Sequence, residues 1–471
     1  MLSIALQTLG CKLNQLESES IAGAFNREGF SLVPWEGGGA DIFVVNTCTV
    51  TSKAEQKARR IIRKILRENP GTCVIVTGCY AQVEAEAVAG LMDHERESPG
   101  YQKRLFVVPG DRKSSLLDLP KFLVEFGNTA GSHAGALEQW TRSPDVSSSQ
   151  DRFRFNPEAF FSHSRAFLKI QDGCDNRCSF CRVTLARGPS VSLSAEKVLS
   201  RLRALEAAGF GEVVLTGINI CQYRDGALDL SGLLAYLLGQ TGRIALRVSS
   251  VEPENITRNL VEVLGNPRIR PHFHLAIQSG SPRILKKMGR TYSPESVEEG
   301  IALLRSVKGD PFFACDIITG FPGETGGEFE KTYELCRRVG FSWIHAFPYS
   351  PRPGTEAYHF TGPVGEREAI SRVKALSGLA RQGRRDYIQR WLGKKVDAII
   401  EGTAPDNGNS KKNSPYAAAL SDNYLRLLLP SGELPPLRPG KVVPCRIRAL
   451  GETGQDLPGI SRFDALGERL P

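Results

Sequence analysis

The chain alternates short apolar segments with longer amphipathic segments, and this alternation restricts its fold more than any other feature. Near the amino terminus, helices are predicted at residues 15–27 and 52–68, with short apolar runs before and after them. Parallel strands need a crossover connection, which is usually a helix, so this pattern predicts an open parallel sheet. The predicted strands of the sheet are residues 3–7, 42–45, 74–76 and 105–108.

The same alternation resumes after residue 164 and continues through the middle of the chain. Helices predicted at residues 195–208, 294–306 and 325–339 separate further apolar runs. Six strand–helix units are too few for a closed eight-unit barrel, so the pattern predicts an incomplete parallel barrel, a partial (βα)6 fold. Its predicted strands are residues 166–170, 213–215, 245–248, 273–276, 313–318 and 343–347.

Two changes of pattern divide this α/β chain into domains. Residues 127–164 have no sustained period and many small or polar side chains, which is typical of a linker. From residue 395, short alternating strands are broken by Asn, Gly and Pro, which predicts a small β-barrel. The predicted domains are therefore the open sheet at 1–126, the partial barrel at 165–394 and the small barrel at 395–463.

Charge and cysteine content restrict the partners and the compartment. The 471 residues have a formal charge of +9, which favours a polyanionic partner such as nucleic acid, although a basic protein without such a partner is the alternative. No run approaches the ~20 apolar residues of a membrane span, and the first residues do not resemble a signal peptide. A cytoplasmic protein without a membrane partner is expected. Thiols stay reduced there, so the eleven cysteines suggest metal or redox sites before disulfides.

Three cysteines stand close together after the first strand of the predicted barrel. Cys174, Cys178 and Cys181 lie in the run GCDNRCSFC, where one loop can wrap a single iron–sulfur cluster. Three ligands leave one iron of a 4Fe–4S cube open to bind a small molecule and pass it an electron, much as an open zinc position serves catalysis. A structural zinc site is the alternative, and a distant residue such as His163 would have to supply its fourth ligand.

The predicted barrel strands end in polar or glycine-rich turns. Parallel barrels place their chemistry at the carboxyl ends of the strands, so these turns would line one opening together with the three-cysteine loop. Ser, Gly and Pro also end strands for local reasons, which explains any single turn without a function. The turn residues are Thr216, Gly217, Asn219, Ser249, Ser250, Glu252, Gln278, Ser279, Gly280, Asp316, Gly320 and Pro322.

A second set of three cysteines is dispersed through the amino-terminal sheet. Cys11, Cys48 and Cys79 each follow a predicted strand by a few residues. The carboxyl ends of parallel strands share one edge of a sheet, so the three thiols are predicted to converge and to hold a second cluster with an open iron. Three unrelated buried thiols are the alternative, because free cysteine is common in cores. The cysteines interpreted as core or incidental thiols are Cys73, Cys221, Cys315, Cys336 and Cys445.

Several longer motifs follow one another along nearly the whole chain: TLGCKLNQLESE, VVNTCTVTSKAEQKARR, VTGCYAQ, IQDGCDNRCSFC, RVSSVEP, HLAIQSGS, DIITGFPGET and FPYSPRPGT. Together they resemble the methylthiotransferases of the radical S-adenosylmethionine (SAM) superfamily. The resemblance implies an amino-terminal domain with an auxiliary 4Fe–4S cluster, a radical SAM barrel with another 4Fe–4S cluster, and a carboxyl-terminal TRAM domain that binds RNA. It also implies that a methylthio group replaces a carbon-bound hydrogen. One SAM would methylate sulfur at the auxiliary cluster, and a second would give a 5′-deoxyadenosyl radical.

The resemblance also assigns residues. The loop cysteines would hold the radical cluster, and the dispersed cysteines would hold the auxiliary cluster. One segment departs from the family, because Arg182, Val183 and Thr184 follow Cys181 where the family commonly has the CIIP motif, so the contacts beside the cluster stay open. The residues implied to contact SAM are Gly217, Asn219, Ser249, Gln278 and Asp316.

Within the family, the segment GCKLNQ is closest to the enzymes that act on N6-threonylcarbamoyladenosine in tRNA. The predicted function is therefore addition of a methylthio group to C2 of this nucleoside, next to the anticodon. The tRNA anticodon stem-loop would be the partner, with an external electron donor and sulfur source. Isopentenyl-adenosine in tRNA and a ribosomal protein aspartate are alternatives within the family. A non-catalytic RNA-binding protein stabilised by metal is the alternative outside it.

Basic and aromatic residues near the end of the predicted barrel favour RNA over protein as the substrate. Tyr387 and Trp391 are interleaved with cations, and aromatic rings can stack on bases while cations pair with phosphates. A solvated helix face with Trp391 packed in a domain junction is the alternative. A second basic run at residues 57–67 extends the predicted surface. The cations of the first run are Arg381, Arg384, Arg385, Arg390, Lys394 and Lys395.

Overall fold

A computed structural model of the chain describes residues 2–37, 39–95, 103–127, 133–143, 151–157, 164–403, 416–430, 440–450 and 463–470. The described residues form two compact units. The first unit combines the described residues before 161 with residues 171–193 and 350–358, and the second contains the rest. A segment from the middle of the chain therefore belongs to the same unit as its beginning. The domain boundaries expected from the sequence remain a prediction.

The first unit contains the predicted parallel sheet. Its strands are β1 (Ser3–Thr8), β2 (Ser31–Leu32), β3 (Ile42–Thr47), β4 (Cys73–Gly78) and β5 (Leu105–Val107). They pair in the order β2-β1-β3-β4-β5, and every pair is parallel. All residues of β3 and β4 are buried, as expected of central strands covered on both faces. A short antiparallel ribbon, β7 (Gln171–Asp172) with β8 (Val191–Ser192), also belongs to this unit.

The helices of the first unit include one in the predicted linker. Ala136, Leu137 and Trp140 of that helix are buried, but the many small residues around them hide the helical period in the sequence. The helices are α1 (Lys12–Arg27), α2 (Ser52–Glu68), α3 (Cys79–Val83), α4 (Ala85–Ala89), α5 (Leu119–Gly127), α6 (His133–Arg142) and α7 (Val183–Arg187). Short 3-10 segments lie at Trp35–Gly37, Gly90–Glu95 and Gly110–Leu117.

The second unit contains the six predicted barrel strands and one additional short strand, all parallel and in chain order. The strands are β6 (Ala166–Lys169), β9 (Glu212–Thr216), β10 (Ala245–Val248), β11 (Ser250–Val251), β12 (His272–Gln278), β13 (Phe312–Thr319) and β14 (Trp343–Pro348). They pair as β10-β9-β6 and as β11-β12-β13-β14. The expected incomplete parallel barrel is therefore confirmed.

Helices and short 3-10 segments connect the strands of the second unit. The helices are α8 (Ala195–Ala207), α9 (Leu230–Gln240), α10 (Arg258–Leu264), α11 (Pro282–Lys287), α12 (Pro294–Lys308), α13 (Gly326–Val339) and α14 (Glu366–Trp391). The 3-10 segments are Ile220–Gln222, Pro253–Asn255 and Glu356–His359, the last of which begins in the first unit.

The small barrel is closed and packs on the larger barrel within the second unit. Its strands β15 (Lys395–Thr403), β16 (Tyr416–Ser421), β17 (Arg426–Pro430), β18 (Val442–Leu450) and β19 (Ala465–Arg469) close in the order β15-β16-β17-β19-β18. Its core continues into Phe312, the first residue of β13, and Tyr424 stacks on His272, the first residue of β12, with ring centroids 3.8 Å apart. The small barrel therefore lies at the amino-terminal ends of these strands, opposite the turns at their carboxyl ends.

None of the helices in the described ranges is long and apolar enough to cross a membrane.

Candidate cluster-binding site

The three-cysteine loop starts and ends in the β7–β8 ribbon, which the sequence did not predict. Beside the ribbon, Gln171 Nε2 donates to the carbonyl of Gly173 at 2.7 Å and to the Ser190 hydroxyl at 2.9 Å. Gly173 has a φ of +74°, and a Cβ there would lie 2.0 Å from the carbonyl oxygen of Pro189. Glycine is required at this close approach. The loop therefore has a rigid base.

Backbone hydrogen bonds shape the loop around its thiols. The Cys174 amide donates to the Gly188 carbonyl and the Cys181 amide donates to the Cys178 carbonyl, both at 3.1 Å. The Val183 amide approaches the Cys181 sulfur at 3.4 Å, a contact suited to a sulfur that carries negative charge. All three thiols are partly exposed. Three sulfur donors on one loop with an open side fit the ligand chemistry of an iron–sulfur cluster.

The second set of thiols lies at one edge of the parallel sheet. Cys11 follows β1, Cys48 follows β3, and Cys79 begins α3 directly after β4. These three strands are neighbours in the sheet, so their carboxyl ends are adjacent. At Gly10, which has a φ of +100°, a Cβ would lie 2.7 Å from Cys48 Cβ and 2.9 Å from its sulfur. The segment before Cys11 thus packs directly on Cys48.

The thiols of the second set influence one another. Burial raises the pKa of Cys48 to about 11, and Cys79 and Cys11 contribute to this rise. Cys11 is exposed on one side, yet the protein around it removes enough water to raise its pKa, to which Cys79 also contributes. Metal binding would therefore release protons from Cys11 and Cys48. The structure brings the three thiols together, while their role as cluster ligands remains a prediction.

An arginine at the end of the three-cysteine loop, with a side chain only 8% exposed, interacts with the second set. Arg187 donates to Glu17 at 3.0 Å and to Asp172 at 3.1 Å. Burial opposes its charge, but Asp172 and Glu17 raise its pKa well above the ordinary value, so the guanidinium stays charged. This charge opposes the rise in pKa of the Cys11 and Cys48 thiols. One residue from the loop region thereby contributes positive charge to the second set.

Arg182, where the chain departs from the family motif, is also buried. It donates to Glu55 at 3.3 Å and to Glu84 at 2.6 Å. Glu55 lies in the first turn of α2, the helix after Cys48, and Glu84 directly follows α3, the helix that Cys79 begins. Arg352 also pairs with Glu55. Arg182 therefore attaches the three-cysteine loop to both segments, a role that its sequence neighbourhood did not reveal.

The five predicted SAM contacts lie in the second unit, in or just after its strands. Gln278, the last residue of β12, has a φ of 62°, and the pairing of β12 with β13 shifts register there. Such a conformation is costly for a residue with a Cβ and is concentrated at functional sites. Asp316 lies inside β13 rather than after it. Gly217 and Asn219 follow β9, and Ser249 separates β10 from β11. Their role as cofactor contacts remains a prediction.

A hydrogen-bonded chain beside Asp316 was missed by sequence reasoning. His274 Nδ1 lies 2.8 Å from the Ser250 hydroxyl, and His274 Nε2 lies 3.2 Å from an Asp316 carboxylate oxygen. The imidazole is thus held between a hydroxyl and a carboxylate. Nearby, burial raises the pKa of Glu252 to about 7, although Arg290 at 2.6 Å acts in the opposite direction. The sequence signal for His274 is its place in the motif HLAIQSGS, and the signal for Glu252 is its place in the motif RVSSVEP.

The basic end of α14 does not present the predicted stacking surface. Tyr387 is fully buried and donates to the carbonyl of Asp310 at 3.1 Å, so its ring is not available to a base. Trp391 packs against the core of the small barrel. Arg390 pairs with Asp310 at 3.0 Å, and Arg384 pairs with a carboxylate of the small barrel. This region therefore fits the alternative in which Trp391 packs in a domain junction. The exposed cations are Arg381, Arg385, Arg390, Lys394 and Lys395, and of these Arg390 is paired with Asp310.

Within the described ranges, no three His, Cys, Asp or Glu side chains lie close enough together to hold a single metal ion. His163, the distant ligand considered for zinc, lies outside the described residues.

Comparison with known proteins places the two thiol sets in two matched regions. Residues 3–96 match a family described as Uncharacterized protein family UPF0004, and residues 168–336 match the Radical SAM superfamily. The first match contains the sheet-edge cysteines, and the second contains the loop cysteines. Membership in the Radical SAM superfamily implies a 4Fe–4S cluster and SAM as cofactors.

Curated relatives cover most of the chain. A threonylcarbamoyladenosine tRNA methylthiotransferase MtaB from Treponema pallidum (strain Nichols) is 40% identical over 466 residues, which are 91% of this chain and 94% of the relative. The protein of that name from Bacillus subtilis (strain 168) is 33% identical, covering 92% and 91%. A tRNA-2-methylthio-N(6)-dimethylallyladenosine synthase from Anaplasma marginale (strain St. Maries) is 31% identical, covering 84% of each chain. The chain belongs to the radical SAM methylthiotransferase family.

Proposed function

We propose that this enzyme adds a methylthio group to C2 of N6-threonylcarbamoyladenosine next to the anticodon of tRNA. The substrate assignment is supported by the names of the relatives from Treponema pallidum and Bacillus subtilis. The segment GCKLNQ, which contains Cys11, supports the same subgroup. The tRNA anticodon stem-loop would be the partner, and the enzyme would work in the cytoplasm, where tRNA is modified.

The observation that carries the chemistry is the presence of both thiol sets in one compact unit. The loop cysteines come from the middle of the chain, yet they belong with the amino-terminal sheet. Arg182 and Arg187 attach the loop region to the segments around the sheet-edge thiols through buried ion pairs. Two adjacent sites for thiolate-bound metal suit a reaction that needs both radical generation and sulfur transfer.

Each thiol set would hold one 4Fe–4S cluster. When bound, the clusters would supply the electron that cleaves SAM and the point at which sulfur is delivered. Arg187 keeps a positive charge that opposes the rise in pKa of Cys11 and Cys48 and so favours their thiolate form. Arg182 keeps the loop attached to α2 and to the segment after α3. Gly217, Asn219, Ser249, Gln278 and Asp316 would line the SAM pocket, and an external reductant and sulfur source would complete the cycle.

The substrate assignment can be tested with nucleosides from tRNA. A strain lacking the gene would be compared by mass spectrometry with the same strain carrying the wild-type gene or a Cys48→Ala copy. The 2-methylthio derivative of N6-threonylcarbamoyladenosine should be absent without the gene, restored by the wild type and not restored by Cys48→Ala. An unchanged level in the strain lacking the gene would refute the substrate assignment.

Other outcomes of this experiment would identify the alternatives. Loss of the methylthio derivative of dimethylallyladenosine would transfer the assignment to the activity named for the Anaplasma marginale relative. A mass change in a ribosomal protein with intact tRNA nucleosides would indicate a protein substrate. Iron and sulfide analysis after anaerobic purification, with an assay for 5′-deoxyadenosine, separates all of these from a non-catalytic RNA-binding protein.

A further inference from the structure

Helix α2 presents a line of cations on the face opposite its buried side. Ala58, Ile61, Ile62 and Ile65 pack into the core of the first unit, which holds the helix rigidly in place. The exposed face carries Lys57, Arg60, Arg63, Lys64 and Arg67, spaced so that neighbours lie about one helical turn apart. From residue 57 to residue 67 the line extends about 15 Å.

These cations line an open recess of about 800 Å³, here called the α2 recess. Arg59 joins them in the lining, as do Gln7 from β1 and Trp35 from the segment after β2. The recess is therefore built by three parts of the first unit rather than by one helix. The partly exposed ring of Trp35 adds an aromatic surface beside the charges.

Most of this charge is not balanced by the protein. Lys64 and Arg67 approach Glu68 at 3.9 and 3.3 Å, and these pairs are exposed and therefore weak. Arg59 donates to the hydroxyl of Tyr80. In the described part of the chain, Lys57, Arg60 and Arg63 have no carboxylate within ion-pair distance. The α2 recess thus contrasts with α14, where Arg384 pairs with Asp464 of the small barrel and Arg390 pairs with Asp310.

The position of α2 connects this charge to the candidate site. The helix begins at Ser52, four residues after Cys48, and its first turn holds Glu55, the partner of Arg182. A polyanion lying along the recess would therefore contact the helix that follows Cys48, in the same unit as both thiol sets. A regular line of cations along an open recess suits the repeating phosphates of a nucleic-acid backbone. Such phosphate contacts position a nucleic acid without reading its sequence.

We propose that the α2 recess binds the sugar–phosphate backbone of the tRNA substrate. This proposal rests on the proposed function, because it takes tRNA as the substrate and adds a second contact surface to it. The α2 recess belongs to the first unit and the small barrel to the second, so substitutions in the recess leave the small barrel unchanged. Lys57, Arg60 and Arg63 supply the unbalanced charge.

The test is tRNA binding by the anaerobic full-length enzyme over a series of salt concentrations. The variant Lys57→Gln/Arg60→Gln/Arg63→Gln removes three positive charges from the recess. The control Lys331→Gln/Arg337→Gln/Arg338→Gln removes three from the exposed face of α13, where each cation pairs with a glutamate. The recess variant should bind tRNA about 10- to 100-fold more weakly, and the slope of log K against log salt should fall by about one for each phosphate that is no longer neutralised. Thermal unfolding of each variant checks the fold.

The outcomes separate this proposal from the proposed function. The charge-conserving variant Lys57→Arg/Arg60→Lys/Arg63→Lys should bind tRNA within about threefold of the wild type, since backbone contacts depend on charge. Equal affinity and salt slope for the recess variant and the α13 control would overturn the α2 recess proposal while leaving the tRNA activity intact. A wild-type enzyme that neither binds nor modifies tRNA would overturn both.

Discussion

The two thiol sets, each predicted to hold a cluster, are assembled by different structural routes. The loop set stands within the run GCDNRCSFC, where backbone bonds between neighbouring residues shape the ligand positions. The sheet-edge set comes from three strands and converges only because β1, β3 and β4 are adjacent. A cluster loop can therefore be recognised from local spacing, whereas a strand-end site depends on the order of strands in the sheet.

The two sets also differ in the exposure and the electrostatic surroundings of their thiols. The loop thiols are partly exposed, while Cys48 is buried and its pKa is raised to about 11. Arg187 brings positive charge to the buried set from the loop region. The sheet-edge set thus depends on residues from elsewhere in the chain for its electrostatics, and the two sets should respond differently to single substitutions.

The largest expected effect is that of Cys178→Ala. Removing a ligand of the loop set should lower 5′-deoxyadenosine formation below detection, because the radical step then lacks its electron source. Anaerobic chromatography of the reaction products measures this loss. Cys336→Ala, which removes a buried thiol outside both sets, is the control and should keep cleaving SAM. Cleavage by the Cys178→Ala enzyme at the wild-type rate would break the assignment of the loop set.

Cys48→Ala should separate the two sets. The variant should still form 5′-deoxyadenosine, but it should give no methylthiolated nucleoside, because sulfur delivery is assigned to the sheet edge. Both products can be measured in one anaerobic reaction by mass spectrometry. Cys73→Ala, at the opposite end of β4 from Cys79, is the matched control and should retain both products. Methylthiolated product from Cys48→Ala would contradict the assignment of SAM cleavage to the loop set and of sulfur delivery to the sheet-edge set.

Gly10→Ala should damage the sheet-edge set without removing a ligand. The added Cβ would meet Cys48 Cβ at 2.7 Å and adopt a φ of +100°, a strain of about 1–3 kcal/mol before the clash is counted. Iron per chain should fall toward the Cys48→Ala value while SAM cleavage persists. Gly29→Ala has a similar φ of +84° and nothing within 4 Å of its Cβ, so it measures the backbone strain alone. Equal iron content in the two variants would show that the contact with Cys48 is unimportant.

Arg182→Leu should have the smallest effect. Glu84 would lose its partner, while Glu55 would remain paired with Arg352, so unfolding in urea should become easier by about 1–3 kcal/mol. Hydrogen exchange in residues 171–193 should increase, because the loop loses its attachment to α2. Arg154→Leu removes a more exposed ion pair with Asp118 in the same unit and should cost less than about 1 kcal/mol. Identical exchange in the two variants would exclude the attachment role.

Sequence reasoning identified the elements with strong periodicity and missed those without it. Strands β1, β3 and β4 were predicted to within two residues at either end, since each is a run of apolar residues between helices. The β7–β8 ribbon has two residues per strand, which is too short to show a period. Helix α6 was hidden by small residues. The positive charge at the end of α14 is visible in the sequence, but the carboxylates that pair with Arg384 and Arg390 are distant in the chain and are not.

The sequence by itself determined the kind of chemistry, because Cys174, Cys178 and Cys181 are neighbours along the chain and their spacing already defines a ligand loop. It also predicted the parallel sheet that makes convergence of Cys11, Cys48 and Cys79 possible. Only the tertiary structure decided the surroundings of the two sets. Arg182 and Arg187 are ordinary residues in the sequence, and their ion pairs with Glu84 and Glu17 span 98 and 170 positions. Such pairs depend on which surfaces the fold brings together, and no local pattern encodes them.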